Sequence, residues 1–424
     1  MPSTTRTTRT ARTTVRTATA AALVAALTAL TLPGASAAPA EPRTEKLSTG
    51  PGGVQANAFS NAPEVSADGS VVVFTSIASN LVAGDTPNTD DVFVHRAGSS
   101  ALTRITVSGA TTSAPHLSSN GRYLTFVARD KNNVSTLHLR DLAPGAGKPV
   151  RTVRIDTKLP DGYRVGGNAP ISTDGRYLAL NTQPTDATPS GADDGNRVYL
   201  LDRTTGKTVR VSHSPDMTNG FRSTGAGSIS DDGGKIAYYD GYINGPRGDD
   251  WGDIYVWDRT TGKEVHADAT YNGAQADKAS TTPLLSGDGT KVAFQSFATN
   301  LVPGTDPNRG WNPFVRDLTT GKLSRVDGIA PTDISGVSGI SRDGRQLLIS
   351  SNSSTSGESG IYVRDLTTGA STLASPGLDG KPQGAGSSAM SADGSTVAFS
   401  GYDESRFVEG DTNGESDVFL RRLR

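Results

Sequence analysis

Three loops of this 424-residue chain carry side-chain oxygens at spacings that could hold a hard cation. They read Asn80-Leu-Val-x-Gly84-Asp85-x-x-Asn88-x-Asp90-Asp91, Asn300-Leu-Val-x-Gly304-Thr-Asp306-x-Asn308 and Gly410-Asp411-x-Asn413-x-x-x-Asp417. Ca2+ takes about six to eight oxygen ligands from carboxylates, amides and carbonyls. The candidate ligands are therefore Asp85, Asn88, Asp90, Asp306, Asn308, Asp411, Asn413 and Asp417, with Ca2+ as the ion they would take. None of the loops ends in the bidentate Glu of an EF-hand. Asp, Asn and Gly are also the ordinary residues of turns that hydrogen-bond their own backbone, so a structural loop motif is the competing reading.

A second constellation is aromatic and basic. Tyr239, Tyr242, Arg247, Asp249, Asp250 and Trp251 crowd one segment, and Arg309 and Trp311 stand in the corresponding loop of the next repeat. Aromatic and Arg side chains displayed together anchor interfaces and sugar platforms; packing of the two loops against each other accounts for them equally. Tyr242, Arg247, Trp251, Arg309 and Trp311 are the candidate ligand-binding residues.

Contiguous catalytic motifs are missing. There is no Gly-x-Ser-x-Gly nucleophile elbow and no cysteine. The five histidines are scattered, with no His-x-x-x-His pair of the zinc type. Acids such as Asp193, Asp194, Asp249, Asp250, Glu358 and Asp403 could hide a carboxylate pair, which spacing alone cannot reveal.

The elements that must position these loops come from a repeat. Ser66-Ala-Asp68-Gly69 followed by Val71-Val72-Val73-Phe74 returns at Gly121, Gly175, Gly233, Gly289, Gly344 and Gly394, at intervals of 50 to 58 residues. Asp-Gly between apolar runs is a hairpin signal, because Gly takes the positive φ that tight turns need. A polar loop, a strand such as Val92-Phe93-Val94, a second turn and a fourth strand complete each unit. Four of those second turns are Thr204-Thr205-Gly206, Thr260-Thr261-Gly262, Thr319-Thr320-Gly321 and Thr367-Thr368-Gly369. The seventh unit ends after Val418-Phe419-Leu420, and Thr44 to Ser48 matches the strand it lacks. Pairing of the two closes a ring and leaves no open sheet edge. The expected fold is all-β, a seven-bladed β-propeller of four-stranded antiparallel blades, with the N-terminal strand completing the last blade.

The repeat, with Asp253-Ile254-Tyr255-Val256-Trp257-Asp258 and Thr261-Gly262, resembles the WD40-like repeats of the TolB type, over nearly the whole chain after residue 37. The resemblance implies the fold more sharply than the function. Such propellers serve as partner-binding platforms, as filters on peptidases and as supports for lyase or hydrolase sites.

Residues 1–37 read as an export signal: Arg6, Arg9, Arg12 and Arg16, the apolar run Ala21 to Leu32, and the small-x-small site Ala35-Ser36-Ala37. Residues 38–424 form the single propeller domain. The apolar run is too short to span a bilayer, and no later run is long enough. The net charge of −2 becomes more negative once the basic leader is removed, which gives no footing for nucleic acid.

In a meander the short turns share one face, and the long second-to-third-strand loops share the other with the blade connections. Binding belongs on the long-loop face. The sequence thus leads to a secreted or cell-envelope, monomeric, non-enzymatic propeller that engages a protein, peptide or cell-wall glycan there. A propeller-based lyase or hydrolase acting on an extracellular polymer, and an envelope structural component, are the alternatives.

Overall fold

The computed structural model describes residues 42–86, 89–185, 195–212, 221–243, 252–307, 310–353, 355–402 and 407–424, together with Ser3. Its strands form seven sheets of four, each antiparallel and in meander order. Blade one comprises Ser60–Val65, Val71–Ser76, Asp91–Arg96 and Thr103–Ile105, named strands a to d from the channel outwards. In blade seven, Ala385–Met390, Thr396–Gly401 and Asp417–Arg422 are joined by Arg43–Lys46 as strand d, in the register Glu45 to Leu420 and Lys46 to Phe419. The ring closes as the sequence predicts.

The turn that defines the repeat is a hydrogen-bonded unit. Ser66 Oγ donates to Asp68 Oδ1 (2.6 Å) and accepts from Val71 N (2.9 Å), while Ser70 N donates to Asp68 Oδ1 (3.0 Å). Gly69 sits at φ +70°, where a Cβ would be strained. The same Ser-to-acid or Ser-to-Asn bond recurs in the other six blades.

Hydrophobic packing lies between blades. Val72 and Phe74 pack toward blade seven with Leu47, Ala398 and Leu420, whereas Val71 and Val73 pack toward blade two with Leu117, Leu124 and Phe126. Alternation along one strand thus feeds two interfaces, so the middle strands are buried on both faces. Blades four and five approach closely at their inner strands. A Cβ on Gly227 would fall inside the Pro283 carbonyl oxygen and 2.7 Å from Pro283 Cγ.

The short-turn face is laced together by backbone bonds from blade to blade. Ala67 N donates to Ser119 O, Thr173 N to Asp231 O, Asp231 N to Gly287 O, Asp288 N to Arg342 O, Arg342 N to Ala392 O and Ala392 N to Ala67 O, all at 2.7–3.0 Å. Arg342 Nε also reaches from blade six to Asp231 Oδ2 of blade four (2.7 Å). These contacts tie the short turns of neighbouring blades to one another on that face.

Candidate functional site

Blades one, two, four, five and seven carry a cross-strand ladder, a stacked pair of rings across their middle strands. On strands b and c the pairs are Phe74–Phe93, Phe126–His138, Tyr238–Tyr255, Phe294–Phe314 and Phe399–Phe419, stacked with centroids 5.6–5.8 Å apart. The strand d residue in register with this strand c ring is Arg104, Arg154, Arg210, His266, Arg325 or Lys46, and Leu373 in blade six. A long cation lies along an apolar surface with its head free to meet carboxylates.

Ladder cations reach several acids of the Asp/Asn loops. Arg104 Nη1 bonds Asp85 Oδ1 (2.9 Å) and Nε lies 3.3 Å from Asp91 Oδ2. Arg325 Nη1 bonds Asp306 Oδ1 (3.0 Å), and Lys46 Nζ meets Asp411 Oδ1 (2.7 Å) and Asp417. Asn413 Nδ2 donates to Ala56 O and Asp417 Oδ2, both at 3.0 Å. Asp90 is exposed, and its carbonyl accepts from Thr112 N. The positive charge beside Asp85, Asp306, Asp411 and Asp417 is one the chain itself supplies; Asn88 and Asn308 lie outside the described residues. Asp306 and Arg325 also line a cavity of 310 Å3 beneath the blade-five loop.

Burial pushes Asp91 up to about 6, against the attraction of Arg104. Between roughly pH 4 and 6 the folded chain therefore holds a proton that the unfolded chain has released, so stability falls as pH rises through this window. Blade five places Asn312 at the equivalent position, where Arg325 Nη2 donates to Asn312 Oδ1 (3.0 Å). Asp91→Asn is expected to raise the melting temperature at pH 7 by about 1–2 °C and to flatten the profile between pH 4 and 6, as read by thermal melts across pH.

Of the aromatic candidates, Trp311 packs on Phe297 with centroids 4.2 Å apart. The Tyr242 backbone lies in strand Lys235–Ile243, opposite Arg222. The Tyr242 side chain and all of Arg247, Trp251 and Arg309 lie outside the described residues.

Blade four departs from the ladder. Its strand d is Glu264–His266, and the residue at the cation position is His266. Asp253, second residue of strand c (Gly252–Asp258), and Asp268, just past strand d, flank the ring. His266 Nε2 lies 3.0 Å from Asp268 Oδ1 and 3.7 Å from Asp253 Oδ1. Tyr255 stacks on the imidazole at 4.9 Å, Ile254 N donates to Asp268 Oδ1 (2.9 Å), and Gln275 Nε2 donates to Asp253 Oδ2 (3.3 Å). Strand c starts, and strand d ends, at the long-loop face, so the cluster lies there. Burial would lower the His266 pKa, but hydrogen bonds and charge from the two aspartates outweigh it and push it up to about 9. The signal for this site was in the repeats. Lys207-Thr-Val-Arg210, Lys263-Glu-Val-His266 and Lys322-Leu-Ser-Arg325 align behind Thr-Thr-Gly, and only one ends in His.

A second His–acid contact lies on the inner strands. His116 Nδ1 is 2.9 Å from Glu64 Oε1, and Leu117 N donates to Glu64 Oε2 (2.6 Å). Ser228 Oγ accepts from Leu285 N (2.7 Å) between blades four and five in the same way, which marks Glu64 as an inter-blade staple.

No family model matches the sequence, and no curated protein matches it. Solved structures share the fold. Oligogalacturonate lyase from Vibrio parahaemolyticus is 12% identical, with a TM-score of 0.58, and the match covers 91% of this chain and 98% of that one. The β-propeller domain of the Trilobed protease from Pyrococcus furiosus is 14% identical, with a TM-score of 0.55 and coverage of 87% and 95%. That domain is described as having an open velcro topology, whereas this ring is fastened by Arg43–Lys46. TolB from Acinetobacter baumannii matches at 16% identity and a TM-score of 0.40, covering 84% and 82%. The propeller that the Ser-x-Asp-Gly repeats resemble is the fold of this chain.

The lyase match corrects the expectation of a non-enzymatic binding protein. That expectation leaned on the absence of a nucleophile elbow, of cysteine and of a zinc-type histidine pair. The lyase is matched over 98% of its own chain, so nearly all of it is aligned with this propeller. Contiguous motifs are a poor guide here because the candidate side chains meet across paired strands.

Proposed function

We propose that the protein is a propeller enzyme, a lyase or hydrolase that cleaves an extracellular polymer, with its reactive centre at Asp253, His266 and Asp268. The observation that carries this reading is the exchange in blade four. A position that holds Arg or Lys in five blades, as a fixed charge, holds an imidazole between two carboxylates at the long-loop face. The match to oligogalacturonate lyase supports a polymeric sugar, with acidic glycans the first to try.

Residues 38–424 should be incubated with a panel of extracellular polysaccharides, polyuronates included, following both new reducing ends and the ultraviolet absorbance of the unsaturated sugar that β-elimination leaves. Both signals indicate a lyase, and reducing ends alone a hydrolase. The His266→Arg variant restores the ladder cation of the other blades and is expected to fold and to lose at least about 100-fold in rate. No release from any polymer, or equal release by His266→Arg, overturns the reading.

A further inference from the structure

The cluster in blade four has the form of a metal site. Among the described residues it is the one group of three His or carboxylate side chains whose donor atoms all lie within 4.8 Å of one another. A tetrahedral ion bound to imidazole nitrogen and carboxylate oxygen at about 2.0–2.2 Å holds its ligands roughly 3.3 Å apart. The distances of 3.0 and 3.7 Å from His266 Nε2 to the two aspartates bracket that value.

A second observation points the same way. Asp268 is 0% exposed, yet its Oδ2 has no hydrogen-bond partner. A buried carboxylate oxygen without a partner is costly, and native proteins seldom leave one. The surroundings are those of an oriented site. Gln275 holds the other oxygen of Asp253, the Ile254 amide fixes Asp268, and Tyr255 fixes the plane of the ring. Such outer contacts set ligand orientation in metal centres. Arg316 donates to the carbonyls of Ala267 and Ala269 on either side of Asp268, which anchors that segment.

We infer that Asp253, His266 and Asp268 bind one divalent first-row transition metal ion, with Zn2+ as the best fit to one imidazole and two carboxylates. An imidazole donor argues against Ca2+ and Mg2+, which prefer oxygen throughout. Three protein ligands leave a position open for water or substrate, the arrangement of catalytic rather than structural zinc. This inference deepens the proposed function by naming the cofactor of the same centre, but binding is tested without reference to activity.

Residues 38–424, stripped with chelator, should be titrated with Zn2+ in a calorimeter and with Co2+ while the visible spectrum is recorded. The expected result is one ion per chain, a Co2+ band of low-coordinate type, and a higher melting temperature with metal. Asp268→Asn keeps an oxygen for the Ile254 amide, and His266→Arg keeps the ladder charge, so both should fold. Each is expected to weaken binding at least about 100-fold. Absence of binding by the parent protein, or undiminished binding by both variants, overturns the site. A protein that binds the ion through these residues and yet cleaves no polymer leaves the metal site standing and removes the enzymatic reading.

Discussion

Lys46→Met is expected to destabilise the protein by about 3–5 kcal/mol, the range for removing one partner of a buried ion pair. The Lys46, Asp411 and Asp417 side chains are only 8%, 6% and 1% exposed, and one ammonium serves both acids. Burial already raises the Asp417 pKa, against the hydrogen bonds from Lys46 and Ser48. Without the ammonium, two carboxylates would face each other in the seam that closes the ring. Chemical denaturation of the parent and variant measures the loss. Lys46→Arg is expected to cost no more than about 1 kcal/mol, since Arg104 and Arg325 do the same work in blades one and five. Adding Asp411→Asn and Asp417→Asn to Lys46→Met should recover most of the stability, because the penalty comes from uncompensated charge. A Lys46→Met variant as stable as the parent would show that the seam is held by strand pairing alone.

Gly227→Ala is expected to cost about 3 kcal/mol, although alanine is an ordinary residue in a strand. Gly227 lies at a bulge in the inner strand of blade four, between Ala226 and Ser228, where the register to strand b shifts. Its α-carbon faces the Pro283 backbone of blade five, and a methyl group there has no flexible neighbour to displace. The blades would have to part, straining the bonds from Ser228 Oγ to Pro283 O (3.2 Å) and from Leu285 N to Ser228 Oγ (2.7 Å). Overpacking of a rigid contact costs roughly 1–3 kcal/mol, and backbone leaves the upper end. Gly167→Ala is the control, since a Cβ there meets nothing within 4 Å. Melting temperatures of the two variants separate the contact from any general effect of alanine.

The fold was legible because each blade repeats its own instructions. Ser66, Asp68 and Gly69 close a turn whose bonds are local, and Val71 to Phe74 alternate between interfaces that any neighbouring blade supplies. Ring closure was legible for the same reason, since Thr44 to Ser48 is a fourth strand without its first three. The site was harder to see. Asp85 and Asp306 pair with Arg104 and Arg325, about 20 residues further on, and those contacts could not be read from the loops themselves. His266 looked isolated because Asp253 belongs to the neighbouring strand, and only the alignment of the three Thr-Thr-Gly-Lys segments sets it apart. Side chains that meet across strands leave a trace in the sequence only where repeats can be laid over one another.

The fastening of the ring bears on the order in which the protein can fold. Ser48 Oγ donates to Asp417 Oδ1, a partner 369 residues later. Joining segments so far apart costs about 1.7 kcal/mol more chain entropy than joining those one blade apart. It is therefore the natural last step. Six blades can form as the chain is synthesised, but strand Arg43–Lys46 waits for Asp417–Arg422 to emerge. Until then the last blade shows a bare strand edge, the kind of surface that pairs with other chains. At high concentration that edge can take the first strand of a second molecule, so slow refolding should yield exchanged dimers that dilution resolves into single rings.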